Sequence, residues 1–244
     1  MKVILFADGS VGRKIAEFLL NNYSNDLDLV VTTSENEIYK DAERSKIPVA
    51  IFESDRKIIK RLKKAVDLGV LAWWPKLLKQ QLLEVPLNGF VNTHPSLLPH
   101  NRGKHYNFWT LVEEAPFGVT IHKVDMGVDT GDIVTQKKIN YDWSDTGETL
   151  YKKAQIEMVD LFINTYPILR TGNFDTTPQN RNSGSMHYAS ELIPASQIKL
   201  DEIYKARTLL NLLRGKTFKG YNGCWFEENG SKYEISISIK RLKT

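Results

Sequence analysis

Short apolar runs alternate with amphipathic stretches from residue 3 to residue 92 of the chain. Runs of this length between turn residues predict buried strands, and stretches with helical periodicity predict helices. The predicted strands are Val3–Ala7, Leu27–Thr33, Pro48–Phe52, Leu68–Trp73 and Phe90–Asn92. The predicted helices are Val11–Leu20, Glu37–Ser45, Asp55–Lys64 with Ser54 as its cap, and a short helix after Pro75. Strands that alternate with helices indicate a parallel sheet with right-handed crossovers.

Beyond residue 100 the pattern predicts further elements and a boundary. The elements are a helix over Lys104–Glu114, strands over Val119–Val124 and Ile133–Ile139, and a long amphipathic helix after Asp145-Thr146 that ends near Leu169. The polar stretch from Thr171 to Ser185 marks a domain boundary, followed by a helix over Asp201–Leu213 and a hairpin of Tyr221–Phe226 with Tyr233–Ile239. We therefore expect an α/β fold. We expect residues 1–180 to form a Rossmann-like open sheet, mostly parallel with helices on both faces. Residues 181–244 are expected to form a small α+β extension with a β-hairpin.

Composition and charge exclude several classes of protein. With 41% hydrophobic and 25% charged residues, the 244-residue chain is typical of a globular protein with a full core. Its net charge of +4 is spread along the chain and is compatible with a phosphate-bearing partner, and we expect no nucleic acid or membrane partner. The apolar opening is broken by Asp8-Gly9, too early for a signal peptide. The single cysteine, Cys224, fits a reducing compartment, so we expect a cytoplasmic protein without a metal site.

The most informative residues for chemistry lie at the end of the fifth predicted strand, where residues 92–99 read Asn-Thr-His-Pro-Ser-Leu-Leu-Pro. Asn92 and His94 leave the same face of a strand, and Pro95 favours extended geometry at His94. Asp129 opens a later Asp-Thr-Gly-Asp run. An amide that donates to an oxyanion, an imidazole that moves a proton and a carboxylate that orients it suit acyl transfer. Because these residues are also common in turns, their spacing alone leaves both interpretations open.

A second candidate region follows the first predicted strand. Ligands of open sheets bind outside the carboxyl ends of the strands, and Asp8-Gly9-Ser10 falls there. The Gly9-x-x-Gly12 run lacks the full dinucleotide fingerprint, so a nicotinamide cofactor is not indicated. Gly9 and Ser10 are either a tight strand-to-helix turn or a contact to a phosphate or substrate.

Four motifs together resemble the formyltetrahydrofolate-dependent formyltransferase family, with its order and spacing over about half of the chain. They are Asn92-x-His94-Pro95-Ser96-Leu97-Leu98-Pro99, Arg102-Gly103, Gly118-Val119-Thr120-Ile121-His122 and Asp129-Thr130-Gly131-Asp132. The resemblance makes Asn92, His94 and Asp129 the catalytic set and implies N10-formyltetrahydrofolate as co-substrate. In formyl transfer to an amine, Asn92 would donate to the oxyanion, His94 accept a proton, and Asp129 hold the tautomer of His94.

The resemblance also assigns residues to the two substrates. In the family the loop after the fourth strand contributes to the pterin pocket, partly through backbone groups, and one tryptophan here is expected to pack in the core. The residues assigned to the folate are Leu71, Trp73, Trp74, Ser96, Thr130 and Asp132. Those assigned to the acceptor are Gly9, Ser10, Arg102, Lys104, His105 and Tyr106, whose donors suit an anion. The alternative for residues 102–109 is a helix N-terminus with Phe108 and Trp109 buried, and His122 is expected to be a packed histidine rather than a supporting group.

The C-terminal part of the chain narrows the choice of the amine that accepts the formyl group. The family serves initiator methionyl-tRNA, glycinamide ribonucleotide or nucleotide-linked amino sugars, and the tRNA enzymes carry a C-terminal barrel for which about sixty residues are too few. Residues 212–226 resemble the tail of the sugar N-formyltransferases. We expect dTDP-4-amino-4,6-dideoxyglucose or its 3-amino isomer as substrate, for surface polysaccharide such as the lipopolysaccharide O-antigen. The alternatives are a phosphoribosylglycinamide formyltransferase and a formyltetrahydrofolate hydrolase. The extension, with the isoleucine face of its hairpin, is expected to form a homodimer.

Overall fold

The structure is a computed structural model that describes residues 1–62, 64–180 and 182–242. Its strands are β1 (Val3–Ala7), β2 (Leu27–Thr32), β3 (Val49–Ile51), β4 (Leu68–Ala72), β5 (Phe90–His94), β6 (Arg102–Gly103), β7 (Gly118–Lys123), β8 (Ile133–Lys138), β9 (Met186–His187), β10 (Cys224–Glu228) and β11 (Ser231–Ile235). Its helices are α1 (Gly9–Asn22), α2 (Glu37–Arg44), α3 (Asp55–Arg61), α4 (Gln80–Leu83), α5 (Tyr106–Val112), α6 (Gly147–Leu169), α7 (Leu192–Ala195) and α8 (Ala206–Lys216).

Within the described ranges, seven strands form one open sheet in the order β3-β2-β1-β4-β5-β7-β8. The pairs β1–β2, β1–β4, β2–β3 and β4–β5 are parallel. β7 runs antiparallel to β5, with Asn92 opposite His122 and His94 opposite Thr120. The expected Rossmann-like, mostly parallel sheet with helices between its strands is confirmed. Because the register places residues two apart on one face, all four of these side chains share a face at the end of β5.

The first helix begins earlier than predicted. The Asp8 carboxylate accepts the Gly9 amide hydrogen at 2.8 Å, so Asp8 is the N-cap and Gly9-Ser10 form the first turn of α1. A Cβ on Gly12 would lie 2.7 Å from the Ala72 carbonyl oxygen. The glycine therefore allows α1 to approach the end of β4 closely.

The other N-terminal elements lie within a few residues of their predicted bounds. Ser54 caps α3 as expected, but the helix ends at Arg61 rather than at the predicted Lys64. Lys63, inside that predicted span, lies outside the described residues.

The predicted helix Lys104–Glu114 begins only at Tyr106. His105 has a φ of 59° and occupies the left-handed region, which ends the preceding extended segment instead of continuing a helix. Arg102-Gly103 pairs in parallel with Met186-His187 as β6 and β9. Two-residue strands joined across 84 positions leave no periodic signal, so this pairing was not predicted.

The C-terminal hairpin is confirmed but shorter than predicted. β10 and β11 pair antiparallel, and β11 ends at Ile235 instead of Ile239. Ile235 and Ile237 pack against the buried cluster of Phe108, Leu212 and Cys224. Both isoleucines are only partly buried, so the expectation that this face pairs across a dimer stays a prediction. The predicted helix Asp201–Leu213 is also displaced, to Ala206–Lys216.

The described chain divides into two compact units. The first comprises Met1–His94, Thr120–Lys137 and Gln155–Gln179, and the second comprises Pro95–Val119, Lys138–Ala154 and the chain from Asn180 onward. The main core of the first unit includes Ile4, Phe6, Val31, Leu71 and Phe90. The division at residues 1–180 and 181–244 stays a prediction. None of the helices in the described ranges is long and apolar enough to cross a membrane.

Candidate active site

Asn92, His94 and Asp129 lie together in the first unit, although 37 positions separate Asn92 from Asp129. His94 Nδ1 lies 3.3 Å from Asp129 Oδ2, and Asn92 Nδ2 donates to Asp129 Oδ1 at 3.3 Å. The His94 side chain is 5% exposed and that of Asp129 13%, so water screens their interaction little. The structure therefore brings the three predicted catalytic residues into one cluster around the carboxylate.

His122 is a fourth member of this cluster. Its Nδ1 lies 2.7 Å from the Lys123 carbonyl oxygen, which can only accept, so Nδ1 carries the hydrogen. In the neutral ring Nε2 is then an acceptor, and it faces Asn92 Nδ2 at 3.3 Å. The same Nε2 lies 3.5 Å from Asp129 Oδ1. His122 is buried as expected, but its role goes beyond packing because its Nε2 contacts the Asn92 amide.

The loop between β7 and β8 carries Asp129 in the left-handed conformation, with a φ of 55°. Asp125 braces this loop because its Oδ1 accepts from the Thr130 hydroxyl at 2.6 Å and from the Gly127 amide at 3.0 Å. The Asp132 carbonyl oxygen accepts from the Lys123 amide at 2.8 Å. Thr130 and Asp132, both assigned to the folate, thus support the loop that carries Asp129.

The residues after β4 divide between the core and the carboxyl edge of the sheet. Leu71 is buried, and Trp74 packs edge-on against Phe6 and Phe52, so Trp74 is the tryptophan in the core. Trp73 has a φ of 58°, its amide donates to Thr93 Oγ1 at 3.0 Å, and its indole lies beside Gly9. Leu71 therefore has little side-chain surface for a folate, whereas both Trp73 and Trp74 are only partly buried.

Polar groups also collect after β1 and β2. The Asp8 carboxylate accepts from the Thr33 hydroxyl at 2.7 Å and from the Asn36 amide at 3.3 Å. Ser10, assigned to the acceptor, is exposed and bonds to Gln155 at 2.7 Å. Asp8 belongs to the Asp8-Gly9-Ser10 run expected at this edge, whereas Thr33 and Asn36 were not among the candidate residues, although both follow β2 at the carboxyl edge of the sheet.

The remaining assigned residues lie in the second unit. The Ser96 hydroxyl donates to the His100 carbonyl oxygen at 2.7 Å, and Lys104 is exposed. Burial, with the charges of Lys104 and Lys216, lowers the pKa of His105 below its ordinary value. Ser96 thus stabilises a turn, and His105 is biased toward its neutral form.

Tyr106 is buried, contrary to the expectation of a side chain presented to a substrate. It is 6% exposed and stacks on Phe117 and Tyr151. Burial raises the pKa of Tyr106 well above its ordinary value. Its hydroxyl and the Arg102 Nε are buried polar atoms without a hydrogen-bond partner among the described residues. Phe108 is buried and Trp109 partly so, as the helix-terminus alternative expected. No group of three or more His, Cys, Asp or Glu in the described chain is placed to hold a metal ion.

Comparisons with known proteins connect this cluster to a family. A family model described as formyl transferase matches residues 1–165, and one described as N-formyltransferase dimerization C-terminal domain matches residues 191–241. A methionyl-tRNA formyltransferase of Thermodesulfovibrio yellowstonii is 34% identical over 183 residues, which are 73% of this chain and 58% of that protein. The chain spans about half the length of the curated relatives it matches.

Solved structures show the same fold at low identity. A 4-N formyltransferase from Francisella tularensis is similar with a TM-score of 0.81 at 24% identity, over 99% of this chain and 98% of that chain. The N-formyltransferase from Helicobacter canadensis, solved with folinic acid and dTDP-3-aminofucose, gives a TM-score of 0.75 at 18% identity, over 95% and 86% of the two chains. The family resemblance of the motifs is confirmed by the match over residues 1–165. The chain belongs to the formyl transferase family.

Proposed function

We propose that this protein transfers the formyl group of N10-formyltetrahydrofolate to the amine of a nucleotide-linked amino-dideoxy sugar. The observation that carries the proposal is the cluster of Asn92, His94 and Asp129, which combines a donor amide, an imidazole and a carboxylate within 3.3 Å contacts. Acyl transfer to an amine is accelerated by a donor to the oxyanion and by a positioned group that moves a proton, and this cluster contains both.

In this mechanism the amine nitrogen attacks the formyl carbon and forms a C–N bond, and the carbonyl oxygen becomes an oxyanion. With Nδ1 held toward Asp129 at 3.3 Å, His94 uses Nε2 to take the proton from the attacking nitrogen. The bond between the formyl carbon and N10 then breaks, and N10 takes up a proton as tetrahydrofolate leaves. Asp129 stabilises the imidazolium, as the carboxylate of a catalytic triad does.

Asn92 supplies the donor for the oxyanion. Both of its amide hydrogens have partners in the structure, His122 and Asp129, but each contact is 3.3 Å long. Bonds at this length are weak, so one hydrogen turns to the oxyanion with little loss. Removing such a donor lowers kcat by about 10²- to 10³-fold in other acyl-transfer enzymes.

The acceptor we propose is dTDP-4-amino-4,6-dideoxyglucose or its 3-amino isomer, in the synthesis of surface polysaccharide. Support comes from the C-terminal match to an N-formyltransferase dimerization domain and from the Helicobacter canadensis enzyme, which was solved with dTDP-3-aminofucose. A second candidate acceptor, methionyl-tRNA, is favoured by the 34% identity to the Thermodesulfovibrio yellowstonii enzyme.

The test is formyl transfer by the purified chain to a panel of amines, followed by mass spectrometry of the products. The panel holds the two dTDP-amino sugars, glycinamide ribonucleotide and methionyl-tRNA, with one reaction that contains no amine. We expect a formylated sugar. Formylation of only the ribonucleotide or only the tRNA would exclude the sugar, and formate released without an amine would indicate a hydrolase.

In the same assay His94→Ala and Asp129→Asn should lower kcat by about 10²- to 10⁴-fold, because each removes a group of the proton-transfer pair. Folate binding, measured by calorimetry, should be retained. Asp201→Asn is the matched control because Asp201 is exposed and lies in the second unit. A near-normal rate in either site variant contradicts the assigned mechanism.

We also propose that the protein is a homodimer through its C-terminal extension. The family model that matches residues 191–241 is described as a dimerization domain. Apolar and aromatic side chains are exposed in the same part of the chain, with Ile193 at 59%, Tyr221 at 71% and Tyr233 at 49% exposure. A second copy would cover such side chains from water.

A further inference from the structure

Gln179 lies within the polar stretch that follows α6 and is the last residue of the first unit. Its amide nitrogen donates to two main-chain oxygens of the β7–β8 loop, that of Asp129 at 2.9 Å and that of Gly131 at 2.7 Å. The side chain is 9% exposed, so these bonds form away from water. One buried amide thus links two carbonyls on either side of Thr130.

The chemistry of the two partners decides the orientation of this amide. Both partners are carbonyl oxygens, so a flipped amide would place Oε1 against two acceptors. In the observed orientation Oε1 is buried without a hydrogen-bond partner among the described residues. Leaving a buried acceptor unpaired opposes folding, so stability alone does not account for a glutamine here. Such departures from full pairing are typical of functional positions.

The two hydrogen bonds from Gln179 hold the Asp129 loop where its backbone has an uncommon conformation. The Asp129 φ of 55° lies in the left-handed region, which is sparsely populated for residues with a side chain. The side chain of Asp129 reaches His94 and Asn92 only at 3.3 Å, so a small backbone shift would break these contacts. The direction of the carboxylate therefore depends on the backbone that Gln179 holds.

Gln179 is itself anchored to the sheet. Two residues earlier, the Thr177 amide donates to the Ile133 carbonyl oxygen and the Ile133 amide donates to that of Thr177, both at 2.8 Å. This bridge joins the polar stretch to the start of β8. The amide of Gln179 is thus supported by the sheet rather than by a loose loop.

We propose that Gln179 is a positioning residue that clamps the Asp129 loop and so sets the carboxylate against His94. The effect of Gln179 on turnover rests on the formyl transfer proposed above. Its hydrogen bonds to the Asp129 loop do not depend on that function. Gln179 lies outside the four motifs that carry the family resemblance.

Amide hydrogen exchange tests the clamp without any substrate. Gln179→Met keeps the length of the side chain and removes both donors, and Gln179→Ala is a second variant in case the first does not fold. We expect faster exchange of the peptide covering residues 125–132 in either variant, with the rest of the first unit unchanged. The control is Thr177→Ala, whose side chain is exposed and whose main-chain bonds remain. Unchanged exchange in a folded Gln179 variant would overturn the proposal.

Kinetics then test whether the clamp acts through the carboxylate. Gln179→Met should lower kcat by about 10- to 100-fold with a smaller change in KM, since misplacing a catalytic group by about 1 Å has effects of this size. In an Asp129→Asn background the same substitution should cause no further loss, because the carboxylate it positions is gone. Additive losses, or an equal loss in Thr177→Ala, would indicate a merely structural role. If the wild-type chain formylates no amine, the proposed function fails. The exchange experiment still shows whether Gln179 holds the Asp129 loop.

Discussion

His122 shows how single hydrogen bonds decide the state of this site. The Lys123 carbonyl oxygen fixes the hydrogen on Nδ1, and that leaves Nε2 to accept from the Asn92 amide at 3.3 Å. The Asn92 nitrogen, rather than its oxygen, is thereby turned toward His122 and Asp129. A residue buried to 2% exposure, which looks like packing in the sequence, controls the donor that we assign to the oxyanion.

We predict that His122→Leu lowers kcat by up to about 10²-fold with little change in the KM of the folate, because the Asn92 amide loses one of its two acceptors and keeps only Asp129. His122→Gln should retain much of the rate, since its side-chain oxygen reaches the position of Nε2. Steady-state kinetics of both variants against the wild type check this. Equal losses in the two variants would show that the ring is required for packing alone.

The contacts of Asn92, His94, His122 and Asp129 were only partly predictable. Asn92 and His94 share a face because strand side chains alternate, and this periodicity is local to the sequence. The approach of His122 depends on the antiparallel register of β7 against β5, which no local pattern specifies.

Arg170, just after the long helix α6, and Asp26, just before β2, form an ion pair in which the carboxylate is buried and the guanidinium is exposed. Asp26, at 5% exposure, accepts two bonds from Arg170 at 2.9 and 3.1 Å and one from the Tyr166 hydroxyl at 3.0 Å. Burial alone would raise the pKa of Asp26, but the bonds from Arg170 and Tyr166 outweigh it and leave the pKa below its ordinary value. This carboxylate therefore stabilises the folded chain in its ionised form.

Asp26→Asn should lower the free energy of unfolding by roughly 1–3 kcal/mol at neutral pH, the range for bonds to a charged group. Because the folded pKa is the lower one, the stabilisation is complete above the ordinary value of 3.8 and is lost as the pH falls through the folded pKa. Urea unfolding from pH 3 to pH 7 should thus show the wild-type and variant curves converging at the acid end. Asp175→Asn, at an exposed position, is the control and should follow the wild type. A difference that is constant with pH would contradict this account.

Local capping made only some element boundaries predictable. Ser54 caps α3, whose start was expected at Asp55, but α1, capped by Asp8, was expected only from Val11. The start of α5 was not predicted, because the left-handed conformation of His105 and the β6–β9 pair depend on residues far along the chain.

At the scale of the whole molecule, the exposed aromatic residues of the C-terminal extension are relevant to the proposed homodimer. Tyr233 is 49% exposed and stacks on Phe226 at 5.2 Å between ring centroids. Ile235 and Ile237 of the same hairpin are only partly buried and Ile193 is exposed, so both aromatic and aliphatic side chains are open to a partner.

Light scattering should give the intact chain a mass of two copies of 27.9 kDa. Tyr233→Lys should shift it toward one copy at the same concentration, because a buried ammonium ion without a partner opposes association. The matched control, Leu87→Lys, changes a side chain that is 76% exposed and lies in the first unit. A wild-type mass of one copy, or equal dissociation in the control, would contradict the proposed dimer.

The sequence by itself determined the alternation of strands and helices and the family. It also determined the pairing of Asn92 with His94 on one face, because these follow from periodicity and motif order. Motif order had already assigned Asp129 to this site. Only the tertiary structure showed that His122, 30 positions from Asn92, and Gln179, 50 positions from Asp129, also lie there. Such contacts depend on sheet register and loop conformation, and neither is encoded within the few residues over which a sequence pattern extends.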